Sequence, residues 1–183
     1  MSEIDLIKQI TNGDKQAFRE LYDLHSGKVY NTALRYSQDT SDAEEITQDV
    51  FTSIYKNASK FKSESRVSTW IYRITVNTAL NYQKKNKRAT FYSLSDSEYE
   101  KPDFENPSTI LEDQEKKQLL LLAVGKLPES QKTAFILSLI EELPRQEVAD
   151  VMETSLKAVE SLLQRAKANL RKELEKYYPN RRK

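Results

Sequence analysis

Apolar residues recur along this chain at spacings of three and four, and that spacing predicts helices from one end to the other. Ile4, Leu6, Ile7 and Ile10 open the first helix, and Asn12-Gly13-Asp14 breaks it. Asp14 is placed to cap a second helix with Phe18, Leu21, Tyr22 and Leu24 on its apolar side. Ser26-Gly27 allows a kink before Val29, Tyr30, Ala33, Leu34 and Tyr36. Ser41 or Asp42 can cap the next helix, whose inward stripe is Ile46, Val50, Phe51 and Ile54. Ser68 or Thr69 can cap the one after that. There Val67, Trp70, Ile71 and Ile74 form one stripe and Tyr72, Val76, Ala79 and Leu80 another, the pattern of a helix buried on two sides. It emerges into Lys84, Lys85, Lys87 and Arg88.

From Ala89 to Glu112 the periodicity lapses into Ser, Asp and Glu, with prolines at 102 and 107, which is the composition of a linker. Helical patterning returns with Leu119 to Val124 as an inward face, and Gly125 ends it. Pro128 and Pro144 sit where two further helices begin, the first carrying Ala134, Phe135, Leu137 and Leu139 inward. Ser155 caps the last helix, with Val159, Leu162, Leu163, Ala166 and Leu170 inward. A short helix, a tight turn and a longer helix with a polar, basic outer face have helix-turn-helix geometry, although a plain helical hairpin fits the spacing equally well. The expected fold is all-α: two small helical domains, 1–90 and 113–183, joined by a flexible acidic linker, 91–112.

Composition narrows the function. The 183 residues hold no cysteine and a single histidine, so disulfides, thiolate zinc sites and most two-histidine metal sites are excluded. No apolar run approaches the roughly 20 residues that cross a bilayer, and Met1 to Lys8 lacks the pattern of a secretory signal. A cytoplasmic protein is expected, with no membrane insertion. A formal net charge of +1 hides an uneven distribution. Residues 1–90 carry 14 basic and 11 acidic groups, 91–112 carry 1 and 6, and 155–183 carry 9 and 3. Two basic ends flank an acidic middle, as suits contact with nucleic acid at both ends.

Two stretches carry candidate chemistry. Asp42, Glu45, Gln48, Asp49 and Thr52 point outward on one helix. They could bind a divalent metal, dock a basic partner, or simply be acids favoured near a helix N-terminus. A metal site needs matching ligands from a second helix, and residues 1–90 hold no second run of this kind. The other stretch is Phe61 to Arg88, a polar loop followed by a helix with Trp70 and a cationic end. Aromatics there could stack on bases and cations could neutralise phosphates, or the helix could be ordinary core with a solvated end. His25, lacking a second ligand, is expected at the surface or at a cap.

Four segments together resemble one family. Asp42–Phe51 resembles the core-polymerase-binding helix of bacterial sigma factors of the extracytoplasmic-function group. Ser68–Asn81 resembles that group's promoter-melting helix, Leu127–Met152 the start of its C-terminal DNA-binding domain, and Ala158–Arg171 its recognition helix. The resemblance implies a non-catalytic polymerase subunit with no cofactor, whose partners are core RNA polymerase and promoter DNA, both duplex and single-stranded. An anti-sigma protein is a common further partner in the group. It implies docking to polymerase through Asp42, Glu45, Gln48 and Asp49. It implies −10 recognition and melting through Phe61, Lys62, Arg66, Trp70, Arg73, Asn77, Lys84, Lys85 and Arg88, with the Phe61–Val67 loop and Asn77 capturing a flipped base. It implies −35 recognition through Ser155, Lys157, Ala158, Glu160, Ser161, Gln164, Arg165 and Lys167. Three positions depart from the pattern: Glu153-Thr154 stands where the turn usually has Gly or a small residue, Glu160 where a base is frequent, and Leu162 where Arg is frequent. Glu160 could instead accept from a cytosine amino group. The alternative is a helix-turn-helix regulator that binds duplex DNA without polymerase.

Overall fold

In the computed structural model, residues 2–93 and 109–177 are described; for 87–93, 109–115 and 117 the description covers the backbone alone. Among the described residues the chain is all-α. Helix α1 spans Glu3–Thr11, α2 Lys15–Ser37, α3 Thr40–Asn57 and α4 Val67–Ser93. After them come α5 Thr109–Gly125, α6 Glu129–Phe135, α7 Arg145–Val151 and α8 Leu156–Glu175. Helix thus extends into both ends of the span expected as linker, at 91–93 and 109–112; the rest of that linker, 94–108, lies outside the described residues.

Short polar side chains set the helix starts. Ser2 and Asp5 form a reciprocal capping box on α1, with Asp5 N–H donating to Ser2 Oγ at 3.2 Å. Asp14 Oδ1 accepts from Gln16 N–H at 2.8 Å and Ala17 N–H at 3.1 Å. Asp39 caps α3, accepting from Asp42 N–H at 2.9 Å; the cap falls two or three residues earlier than Ser41 or Asp42. Helix α4 likewise starts before its expected caps, at Val67, and Thr69 is buried within its first turn. Helix α2 runs unbroken through Ser26-Gly27, so the expected kink does not divide it.

Helices α2, α3 and α4 pack together with α1 laid against α2, burying Leu6, Leu21, Ala33, Ile46, Val50, Ile54, Ile71 and Ala79. In the C-terminal half α6, α7 and α8 surround Ala134, Ile136, Leu137, Val148, Val159, Leu163 and Ala166. Ser155 caps α8 as expected, accepting from Ala158 N–H at 3.2 Å. Some apolar positions expected inward face out. Leu24 is 55% exposed, and Leu120 and Leu122 are also exposed. Helix α6 continues as a π-helical stretch, Ile136–Ile140, whose wider turn breaks the 3.6-residue spacing; Leu139 there is 44% exposed.

The two halves pack against each other. Tyr36, near the end of α2, donates from Oη to Thr133 Oγ1 at 2.9 Å, and its carbonyl accepts from Gln83 Nε2 and, at 3.2 Å, from Lys132 Nζ. Lys132 is buried, and its ammonium lies 5.2 Å from the centre of the Tyr36 ring. The negative end of α2 and the ring face together offset the desolvation of that charge. Burial pushes the Tyr36 phenol well above its ordinary range. On the same side Gln38, in a left-handed conformation at the end of α2, donates from Nε2 to Leu121 O at 2.8 Å.

His25 is buried in mid-helix rather than at a surface or a cap, with Nε2 3.3 Å from Glu3 Oε1. Burial holds its pKa below the ordinary value of 6.5, the Glu3 carboxylate pulling partly back. A depressed base is favoured neutral in the folded state. Its stability contribution is therefore complete above about pH 6.5 and is lost as pH falls through that value toward the folded pKa. His25→Gln should flatten the part of the decline between pH 7.5 and 5.5 that belongs to this residue, read as urea midpoints at each pH. A variant that tracks wild type across that range would mean the imidazole contributes nothing to it.

Candidate nucleic-acid interface

One face of α4 carries Trp70, Arg73, Asn77 and Lys84, each three or four residues or two turns from the next. Its opposite side, Ile71, Thr75, Val76 and Ala79, is buried in the helical bundle. The loop before α4 turns back on it through Ser63, which is in a left-handed conformation, and Phe61 packs on Trp70 with ring centres 5.2 Å apart at 46°. Lys60, Phe61, Lys62, Trp70 and Arg73 line a cavity of about 600 Å³. One wall is thus aromatic and bears the cations Lys60, Lys62 and Arg73, with the Glu64 carboxylate beside them.

The structure brings only part of the expected −10 set to this cavity. Phe61, Lys62, Trp70 and Arg73 line it. Arg66 is exposed and ion-paired outside it, and Lys84 lies further down α4. Asn77, expected to share the pocket, is exposed and does not line it; seven residues separate it from Trp70, about 10 Å along the helix. Lys85 is exposed, and the Arg88 side chain lies outside the described residues. The far wall comes from the C-terminal half: Asp150, Glu153 and Thr154. Nothing in the helical periodicity of α4 could have announced them.

On α3, Glu45, Gln48 and Asp49 are exposed and Asp42 is half-buried. Tyr82 of α4, which sequence reasoning passed over, joins two of them. Its Oη lies 2.8 Å from Asp42 Oδ1 and 2.9 Å from Glu45 Oε2. A single hydroxyl proton shared between two carboxylates is hard to remove, and the bond to Asp42 foremost pushes the phenol up to about 12. The two acids are thereby held in one place rather than left to sweep through solvent.

The α7–α8 pair forms a helix-turn-helix. Its turn closes as a Schellman motif, Thr154 N–H donating to Ala149 O at 3.0 Å and Glu153 N–H to Asp150 O at 3.4 Å. Glu153 occupies the left-handed position, φ 52°, where glycine is the usual residue. On α8, Lys157, Glu160, Gln164, Arg165 and Lys167 are exposed and Ala158 and Ser161 half-buried, with Ser155 exposed at the cap. Arg165 Nη2 donates to Ser161 Oγ at 2.9 Å, and the Glu160 carboxylate lies 3.4 Å from Arg145 Nη1. The expected −35 residues thus run from the N-cap of α8 to Lys167, most of them exposed.

Residues 21–89 match the sigma-70 region 2 family and residues 117–170 the sigma-70 region 4 family. The chain belongs to the extracytoplasmic-function sigma factors. Among curated sigma factors it is 28% identical over 181 residues to ECF RNA polymerase sigma factor SigW of Bacillus subtilis, covering 92% of this chain and 94% of that one. It is 29% identical over 171 residues to the ECF RNA polymerase sigma-E factor of Escherichia coli, covering 88% of each. The solved structure of CnrH in complex with the cytosolic domain of CnrY shares the fold, with a TM-score of 0.69 at 21% identity over 94% of this chain and 97% of that one. In this sigma factor the region 2 match spans α3 and most of α4, and the region 4 match spans the helix-turn-helix.

The left-handed turn yields a direct test. Glu153→Gly and Glu153→Ala both remove the carboxylate, but only glycine tolerates the φ without strain. Glu153→Gly should be the more stable of the two by about 1 kcal/mol in urea unfolding. Equal stabilities would show that the turn relaxes out of this conformation.

Proposed function

We propose that this sigma factor binds core RNA polymerase through the outer face of α3, opens promoter DNA at the −10 element through α4 and its preceding loop, and reads the −35 element through α8. The observation that carries the assignment is the division of surfaces. An aromatic cavity with cations stands on α4, and an exposed polar helix of a helix-turn-helix stands on α8, in one chain that matches both sigma-70 regions. A regulator acting on duplex DNA alone would have no use for the first of these. The chemistry of transcription belongs to the polymerase, so no catalytic role is assigned here. Among the described residues no helix is long and apolar enough to cross a membrane.

On α3, Asp42, Glu45, Gln48 and Asp49 form the docking face for a basic surface of the polymerase. Tyr82 pre-orders two of these acids, which lowers the side-chain entropy lost on docking. At the −10 element a base leaves the stack and enters the cavity against Phe61 and Trp70, while Arg73 and Lys62 meet the backbone. Asn77, one turn beyond Arg73 on the same face, meets a neighbouring base edge, and Arg66, Lys84, Lys85 and Arg88 follow the strand. On α8, Gln164 and Arg165 reach base edges, Lys157 and Lys167 reach phosphates, and Ser155, Ala158, Glu160 and Ser161 fill out the groove-facing surface.

Charge reversal separates docking from folding. Glu45→Lys with Asp49→Lys should leave the unfolding free energy in urea within about 0.5 kcal/mol of wild type, since both side chains are exposed. Pull-down of core polymerase should fall sharply. Unimpaired pull-down would remove α3 from the polymerase contact.

Opening is tested at the aromatic wall. Phe61→Ala should slow open-complex formation on a linear promoter, followed by permanganate reactivity with saturating polymerase. A template already mismatched over the −10 element should restore much of the rate, because unstacking a base costs a few kcal/mol that the mismatch removes. A wild-type opening rate in Phe61→Ala would place the strand contact elsewhere.

A further inference from the structure

Glu160 is an anion on a helix assigned to approach phosphates, at a position where a basic residue is frequent in the family. Its Oε1 lies 3.4 Å from Nη1 of Arg145, the first residue of α7, and the two side chains are 50% and 57% exposed. Successive residues of an α-helix turn by about 100°. Val159, Leu163, Ala166 and Leu170 mark the buried side of α8. On that spacing Lys157, Ser161 and Gln164 project opposite to it, whereas Glu160 falls roughly 90° aside, on the flank toward α7. A carboxylate that accepts from a cytosine amino group has to stand over the base edges. This one stands at the margin of the reading face and is turned to a cation. We infer that Arg145 is a further DNA-contact residue of the −35 interface, taking a backbone phosphate of the duplex, and that Glu160 is the positioning residue that holds its guanidinium beside α8. The inference rests on the assignment of α8 to the −35 element and adds to it a contact from α7.

The chemistry of the pair suits that division of labour. A guanidinium carries five N–H donors in a fixed plane, and one turned to Glu160 leaves the rest for a phosphate. In a helix-turn-helix the second helix lies in the major groove while the first crosses the backbone, so a cation at the start of α7 stands at the level of the phosphates. Arginine loses rotamer freedom when it binds, and a side chain already held in place loses less. Neutralisation works in the same direction. A lone carboxylate at position 160 would repel the phosphates that Lys157 and Lys167 approach, and Arg145 cancels that charge. A pair this exposed contributes little to folding, so its effect belongs to binding. The cation that α8 lacks at 160 is thereby supplied from the neighbouring helix.

The test uses the full chain assembled with core polymerase. Wild-type holoenzyme first selects its own sites from a duplex pool randomised over both promoter elements. The best site and its single-base changes across the −35 element then serve as probes, with affinity measured over a range of salt concentrations. Arg145→Ala should weaken binding about 3- to 10-fold, by the same factor on every −35 sequence, and reduce the slope of log K against log salt by about 1. Arg145→Lys should keep the slope and recover only part of the affinity, since an ammonium is a point charge without the planar fork. Lys15→Ala, an equal charge change at an exposed position on α2, should alter neither. Glu160→Ala should leave the base preferences as they are, and in its background Arg145→Ala should cost less than in wild type. Wild-type affinity and slope in Arg145→Ala overturn the inference, as does a loss confined to one base pair. So does a cytosine preference that disappears in Glu160→Ala, or a cost of Arg145→Ala that is undiminished in that background. Gln164→Ala on the same probes tells the two readings apart. If it changes a base preference while Arg145→Ala changes nothing, the inference falls and the assignment of α8 stands. If neither variant alters binding, both fall.

Discussion

Along α4, Ile71, Thr75, Val76 and Ala79 are buried in the N-terminal bundle while Arg73, Asn77 and Lys84 lie on the other side of the same turns. That division constrains everything around it. The buried side fixes the helix against α2 and α3, so the outer side chains leave a rigid base. The outer side then has to satisfy cations that the bundle itself cannot pair. In this arrangement the C-terminal half supplies the carboxylates, and α7 packs against α4. A helix with both tasks tolerates little change on either face.

Buried polar groups mark where the halves meet. Lys132, Thr133 and Tyr36 are all buried, and each makes at least one hydrogen bond across the join. Tyr72 adds a bond from Oη to Glu141 Oε2 at 3.1 Å, and burial raises its phenol pKa well above the ordinary range. Removing a single partner would leave a buried polar atom unsatisfied, a larger penalty than the bond is worth. These contacts give the join specificity. The more exposed ion pairs around it are screened by salt.

The chemistry of the two halves is connected through single residues that serve two purposes. Asp39 caps α3 and so sets where Asp42, Glu45 and Asp49 fall around the helix. Tyr82 reaches back from α4 to hold two of them. Glu153 completes a turn and pairs with Arg73. In each case a local feature of one helix decides the orientation of a group that acts elsewhere.

Most of the helical order was legible in the chain, because helix periodicity and caps are local. Asp14 and Ser155 could be placed as caps, the inward stripes of α3 and α8 could be read, and so could the break at Asn12-Gly13. Sequence alone also showed which cations lie on α4 and which polar residues on α8. Errors arose where local rules met longer-range packing. His25 looked solvent-facing because no sequence pattern shows that α1 will lie across it, and Leu139 looked inward because nothing local announces a π-helical turn. The resemblance groups Asn77 with the Phe61 loop, whereas two helical turns separate it from Trp70 and it does not line the cavity. The partners of Arg66, Arg73, Tyr82 and Lys84 lie 37 to 81 residues away, and such pairs exist only once separate helices are packed. Tertiary structure therefore decided what each charged residue faces, since a carboxylate's partner depends on distance in space and spacing along one helix carries no record of it.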